Sequence, residues 1–174
     1  MFRDIWRLSC DSIHQRLLNK AVSERRPFNE ILQYYAIERF LIRLGQSPYC
    51  QNIAEKFQAM VDLGMVNSRL KDFYDLRFMA SSMEFDFDQL MKAITNTFQN
   101  RGTLISKSTP PALTEEFAAL KQIQWVSFLK KSLIVDAPAS LYDVIRGITK
   151  FITPLVNPNG EEFSRWTPTA GWIK

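Results

Sequence analysis

Between Leu141 and Leu155 the apolar side chains Leu141, Val144, Ile145, Ile148, Phe151, Ile152 and Leu155 recur at three- and four-residue intervals. That is the period of one helix face and not of a strand. A stripe this wide must be buried against other secondary structure, and Ser140 stands where it would cap the helix. Strand signals, by contrast, are nearly absent. The one Asn-Gly pair, Asn159-Gly160, lies among prolines and charges and links no alternating runs.

The same period recurs along the chain. Asp11 or Ser12 is placed to cap a helix to about Glu24, with Ile13, Leu17, Leu18 and Ala21 on one face. Pro27 then starts a run through Phe28, Ile31, Leu32, Tyr35, Phe40, Leu41 and Leu44 that is expected to stop at Gly45, with Ser47-Pro48 breaking the pattern. A third helix is expected over 51–63 (Ile53, Phe57, Met60, Val61), ended by Gly64. A fourth, capped by Asn67-Ser68, should reach about Ala80. Asp88 is expected to cap a fifth (Leu90, Met91, Ile94, Phe98), closed by Gly102, and Thr114 to open another through Phe117, Leu120, Trp125, Phe128 and Leu129. The expectation is an all-α fold: a compact bundle of about six or seven helices forming a single domain over 1–174. The C-terminal tail should be irregular, and pinned to the body by its aromatic residues.

Composition narrows the chemistry. In 174 residues with 46% hydrophobic content, no window reaches the roughly 18–20 apolar residues of a membrane span. Charges at Arg3, Asp4 and Arg7 are unlike a secretory signal. Cys10 and Cys50 are the only cysteines, which rules out a disulfide framework and a cysteine-built zinc site and agrees with a cytoplasmic, reduced protein. His14, the one histidine, sits beside Gln15 and Arg16 on a polar helix face and reads as a surface residue. Six isolated glycines make no phosphate-cradling loop. The formal charge of +4 is uneven, with residues 51–100 net acidic between basic ends. Such a pattern suits a metal-nucleotide site within a nucleic-acid surface, but charge alone favours a random scatter about a small mean.

The densest cluster of ionisable residues spans 56–75. Lys56 stands at the edge of the Ile53, Phe57, Met60 stripe, and Asp72 shares a face with Leu76 and Met79. If the third and fourth helices form an antiparallel hairpin about 64–67, Lys56 and Asp72 meet at similar height. They would make either a structural ion pair or the charged floor of a site. Lys71 and Asp75 form an i, i+4 pair of small effect. Asp86-Phe87-Asp88 has the Asp-x-Asp spacing that can hold magnesium, but it immediately precedes a helix that Asp88 would cap.

These residues carry a resemblance. Ser12-Ile-His-Gln-Arg-Leu-Leu-Asn19, the run from Phe28 to Leu44 and Gln46-Ser-Pro-Tyr49 resemble the N-terminal region of the AbiEii/AbiGii nucleotidyltransferase toxins of type IV toxin–antitoxin systems. Ala54-Glu-Lys-Phe-Gln-Ala-Met60, Asn67-Ser-Arg-Leu-Lys-Asp-Phe-Tyr-Asp-Leu76, Phe85-Asp-Phe-Asp88 and Gln124-Trp-Val-Ser-Phe-Leu129 resemble that family's C-terminal half. The resemblance implies that residues 1–50 and 51–174 correspond to these two parts. It also implies that Lys56 and Asp72 are two of four active-site elements, and that the family uses Mg²⁺ and a nucleoside triphosphate. The β-rich core that carries the phosphate-holding glycine turn and the metal-holding Asp-x-Asp pair lies between the two blocks in that family. Here Tyr49-Cys50-Gln51-Asn52 joins them almost directly.

Transfer of a nucleotidyl group depends on positioning and on neutralisation of charge by metal ions. With no metal-binding pair, no cofactor is expected for this chain and no transfer by it alone. Three readings follow: a core-deleted relative acting through protein or RNA contacts, a component completed by a partner chain, and a plain RNA-binding helical module. The partners implied are a second copy of the chain, an antitoxin or full-length toxin relative, or RNA, with no membrane.

Overall fold

The computed structural model describes residues 14–106, 108–158 and 160–174. Compactness divides the chain into two units, one ending at Gly45 and the other running from Gln46 to Lys174.

In the first unit residues 14–24 are helical (α1), and α2, Phe28–Leu63, begins beyond a tight turn. The turn uses a left-handed Arg25 (φ 53°), which lets the Arg26 N–H reach the Ala21 carbonyl at 3.0 Å. The Pro27 carbonyl then accepts from the Glu30 and Ile31 N–H groups. Leu17, Ala21 and Ile31 are buried together, with Phe28 and Tyr35 against them. His14 is exposed, as its polar neighbours suggest, and meets the Phe28 ring edge-on at 5.0 Å. The cap expected at Asp11 or Ser12, Cys10, Ile13 and the side chains of Phe40, Leu41 and Leu44 lie outside the described residues.

Gly45 and Ser47-Pro48 do not end the helix: α2 continues through them to Leu63 with Pro48 inside. An interior proline costs about 3 kcal/mol and a glycine about 1 kcal/mol relative to alanine. Both flanks are rich in strong helix formers (Glu38, Arg39, Leu41 before; Gln51, Ala54, Glu55, Lys56 after), which outweigh two breakers. The breakers instead mark the boundary between the compact units.

The second unit continues from α2 through a 3-10 turn (Gly64–Val66) to α3 (Leu70–Ser82), a short strand β1 (Phe85–Asp86) and α4 (Phe87–Asn100). A 3-10 turn at Pro111–Leu113 leads to α5 (Glu115–Lys131), α6 (Leu141–Val156), β2 (Arg165–Thr167) and β3 (Gly171–Ile173). The protein is mostly helical, as its periodicity predicts. Every residue of the expected α6 stripe is buried, and Ser140 Oγ accepts from the Asp143 N–H. Thr114 likewise caps α5 through the Phe117 N–H. Left-handed Gly102 closes α4, allowing the Thr103 N–H to reach the Phe98 carbonyl at 2.9 Å. The core joins these helices through ring contacts such as Phe57–Phe98 and Phe73–Phe117.

The tail departs from expectation. It is not irregular: β2 and β3 form a hairpin, and β2 pairs antiparallel with β1 through Phe85 opposite Trp166 and Asp86 opposite Arg165. Strands of two or three residues are too short to show alternation in the sequence. Burial of the aromatic residues fixes them instead. Trp166 meets Phe151 edge-on at 4.8 Å and donates its indole N–H to the Ala80 carbonyl at 2.7 Å. Trp172 stacks on Phe151 and donates to the Phe151 carbonyl at 2.8 Å. Among the described residues no helix is long and apolar enough to cross a membrane.

Candidate functional site: a lysine between two carboxylates

Lys56 lies on α2 between the buried Ile53 and Met60, so its stem follows the core edge while its ammonium reaches the rim. The chain then turns through Gly64–Val66 and residues 67–69. This turn is fixed by Asn67, a fully buried polar residue. Its amide donates to the Ala59 carbonyl on α2, and its side-chain oxygen accepts the Arg69 N–H at 2.8 Å. Expected as a helix cap, Asn67 instead ties the incoming turn to the outgoing one; the N-cap position of α3 is Arg69, which has no side-chain cap. A buried amide satisfied on both sides sets where α3 starts, and with it the height of Asp72.

Lys56 and Asp72 therefore meet, with Nζ donating to Oδ1 at 2.7 Å. The pair belongs to a larger cluster. Asp75, three residues on and on the same flank of α3, brings Oδ2 to 2.8 Å from Lys56 Nζ and accepts from Lys71 Nζ at 2.7 Å. Arg69 Nε stands 2.7 Å from Asp72 Oδ2, but it is not aligned for a hydrogen bond, so that contact is coulombic. Three cations thus enclose two carboxylates. The side chains of Lys56, Asp72 and Asp75 are 14%, 7% and 19% exposed, whereas Arg69 and Lys71 cover them from solvent at 55% and 73%.

Titration follows from this packing. Burial draws the Lys56 ammonium down, but hydrogen bonds and charge from Asp72 and Asp75 outweigh it and hold its pKa above the ordinary 10.5. Burial pushes the Asp75 carboxyl up, and hydrogen bonds from Lys56 and Lys71 more than reverse this, holding it below 3.8. Lys56 and Asp75 therefore both stay charged at neutral pH. The role of Asp75 was missed because the i, i+4 pairing with Lys71 gave it a sufficient partner. The signal that could have found it is the i, i+3 spacing of Asp72 and Asp75, which puts both carboxylates on one flank.

The second acidic motif is used differently. Asp86, not Asp88, caps α4 by accepting the Gln89 N–H at 3.0 Å, while Asp88 is exposed in the first turn. The strand pairing of Phe85 and Asp86 starts the helix two residues earlier than apolar spacing suggests. Among the described residues no group of three or more His, Cys, Asp or Glu side chains is placed to hold a metal ion. A magnesium ion needs carboxylate oxygens free to face it. Both oxygens of Asp72 and Oδ2 of Asp75 face Lys56, Arg69 and Lys71, so this donor set does not fit the ion.

A helical body with a half-buried Lys–Asp–Asp cluster across two helices is the class of protein that fold and site define. Its family is narrower: the model of the nucleotidyl transferase AbiEii toxin family, type IV toxin–antitoxin system, matches residues 48–146, and the chain belongs to that family. The matched span contains Lys56, Asp72, Asp75, Asp86 and Trp125. It leaves out the stretch before Pro48 and the hairpin. No curated protein and no solved structure matches the chain. Membership of a toxin–antitoxin system implies an antitoxin as counterpart.

Proposed function

We propose that this chain is a nucleotidyltransferase-toxin relative without its catalytic core, which acts in the cytoplasm by binding and does not transfer nucleotides alone. One observation carries the reading: both carboxylates of the cluster are already neutralised by Lys56, Arg69 and Lys71. Nucleotidyl transfer needs carboxylates that hold metal ions against the phosphates. The join supports the same reading, since Tyr49–Asn52, where the family resemblance places the missing core, lies inside α2. Incubated with labelled nucleoside triphosphates, Mg²⁺ and total tRNA, the protein should leave the RNA unlabelled. Incorporation that Asp72→Ala abolishes would overturn the proposal.

A second reading is favoured by the intact Lys56–Asp72 contact of 2.7 Å. In it Lys56 and Asp72 serve as catalytic remnants within a site completed by a partner chain, which supplies the metal-binding pair, the metal and the nucleotide. Mixing this protein with a chain encoding the core should then restore labelling, and Lys56→Ala should remove it. Binding partners under the first reading are an antitoxin, a full-length relative, RNA or a second copy of the chain. For self-association the support is the exposure of Leu120 (61%) and Ile123 (82%) on α5. A monodisperse monomer at high concentration by light scattering would count against a homodimer.

A further inference from the structure

The opposite flank of α3 faces a different environment. At 100° per residue, Arg77 lies about 200° around the helix from Asp75, away from the Lys56 cluster. It lines a cleft of about 700 Å³ between α3, α6 and the β2–β3 hairpin, together with Arg146, Lys150 and Trp166. Three cations meet one carboxylate there. Asp143 stands 3.3 Å from Arg146, in a pair whose side chains are 72% and 48% exposed, which solvent weakens. Among the described residues no ion pair engages Arg77 or Lys150.

The backbone holds this arrangement open. A Cβ at position 147 on α6 would come within 3.2 Å of the Arg77 Cδ, so glycine there lets the arginine lie across the helix. Gly171 adopts φ +82°, which a side-chain-bearing residue resists, and the turn of β3 it permits brings the hairpin against Lys150. The Trp166 ring, fixed by its bond to the Ala80 carbonyl, forms a rigid wall. A smaller pocket shares Arg77, Ser81 and Pro138 with the cleft and is edged by Phe78, an aromatic residue 44% exposed. Unpaired cations beside an accessible aromatic ring are the elements that bind phosphate and a stacked base.

We propose that the α3–α6–hairpin cleft is a binding site for a phosphate-bearing nucleotide, with Arg77, Arg146 and Lys150 on the phosphate and the base directed to the adjoining pocket that Phe78 and Asp136 edge. Arg77, Phe78 and Arg146 lie within the family match, whereas Lys150, Trp166 and Gly171 lie beyond it, so the C-terminal segment completes the site from outside the matched span. It does not depend on the Lys56 cluster, and its test is a binding measurement separate from the labelling assay.

The test is titration calorimetry of the full chain with pyrophosphate, with guanosine 5′-monophosphate and with a short oligoadenylate. Arg146→Glu/Lys150→Glu should weaken binding by about tenfold or more and flatten its salt dependence by about one to two counterions. Lys130→Glu/Lys131→Glu, the same charge change at the end of α5, should leave it unchanged. Should the double reversal fail to fold, as judged by circular dichroism, Arg146→Gln/Lys150→Gln should give a smaller loss in the same direction. Oligoadenylate binding more tightly than the mononucleotide identifies a nucleic-acid chain as the source, and equal affinity identifies a free nucleotide. Absence of binding by all three probes, an equal loss in the α5 control, or equally tight binding of poly-aspartate would overturn the proposal.

Discussion

Lys56 holds two carboxylates at once, and this shapes what its replacement should do. Lys56→Met keeps the stem against Ile53 and Met60 but leaves Asp75 with only exposed Lys71, and Asp72 with the misaligned Arg69. Removing one member of a buried ion pair costs about 3–5 kcal/mol. With some solvent at this rim, a loss of about 2–3 kcal/mol is expected in urea unfolding. Lys71→Ala, at 73% exposure, should cost under about 0.5 kcal/mol. The pH dependence has two signs. The Lys56 pKa is raised, so its contribution is complete below 10.5 and disappears as pH rises through the higher folded value. The Asp75 pKa is lowered, so its contribution is complete above 3.8 and disappears as pH falls through the lower folded value. The melting temperature should therefore decline at both extremes, and in Lys56→Met the alkaline decline should shrink.

At the scale of elements, legibility followed apolar periodicity. The α6 stripe, the Ser140 and Thr114 caps and the Gly102 stop could each be read because they depend on residues within one turn of each other. Errors arose where a distant contact decided: Asp86 caps α4, which starts at Phe87, because β1 pairs with β2, and Asn67 staples a turn because Ala59 lies within its reach. The fusion of two expected helices into α2 is a matter of balance, since its flanks outweigh Gly45 and Pro48 locally. Proline still costs a hydrogen bond there. Pro48→Ala should accordingly stabilise the protein by about 1–3 kcal/mol. The measurement is amide hydrogen exchange, where protection should rise around residues 48–52; unchanged exchange would mean the helix does not strain at proline.

At the scale of the whole molecule, the two compact units are unequal. The unit ending at Gly45 has a small buried cluster around Leu17, Ala21 and Ile31, while the unit from Gln46 has a continuous core from Cys50 to Trp166. A large continuous core within one unit supports independent folding. A chain starting at Gln46 should thus unfold cooperatively by calorimetry. Loss of that transition would show that the larger unit depends on the preceding residues.

The sequence by itself determined the helical class, most helix faces and the meeting of Lys56 with Asp72, because each depends on spacing along one helix or across one short turn. Only the tertiary structure decided that Asp75 shares the lysine, that Asp86 caps a helix, and that the tail forms a hairpin opposite Arg77 and Lys150. Those outcomes join residues far apart in the chain, where burial and charge, which no local period encodes, choose the partner.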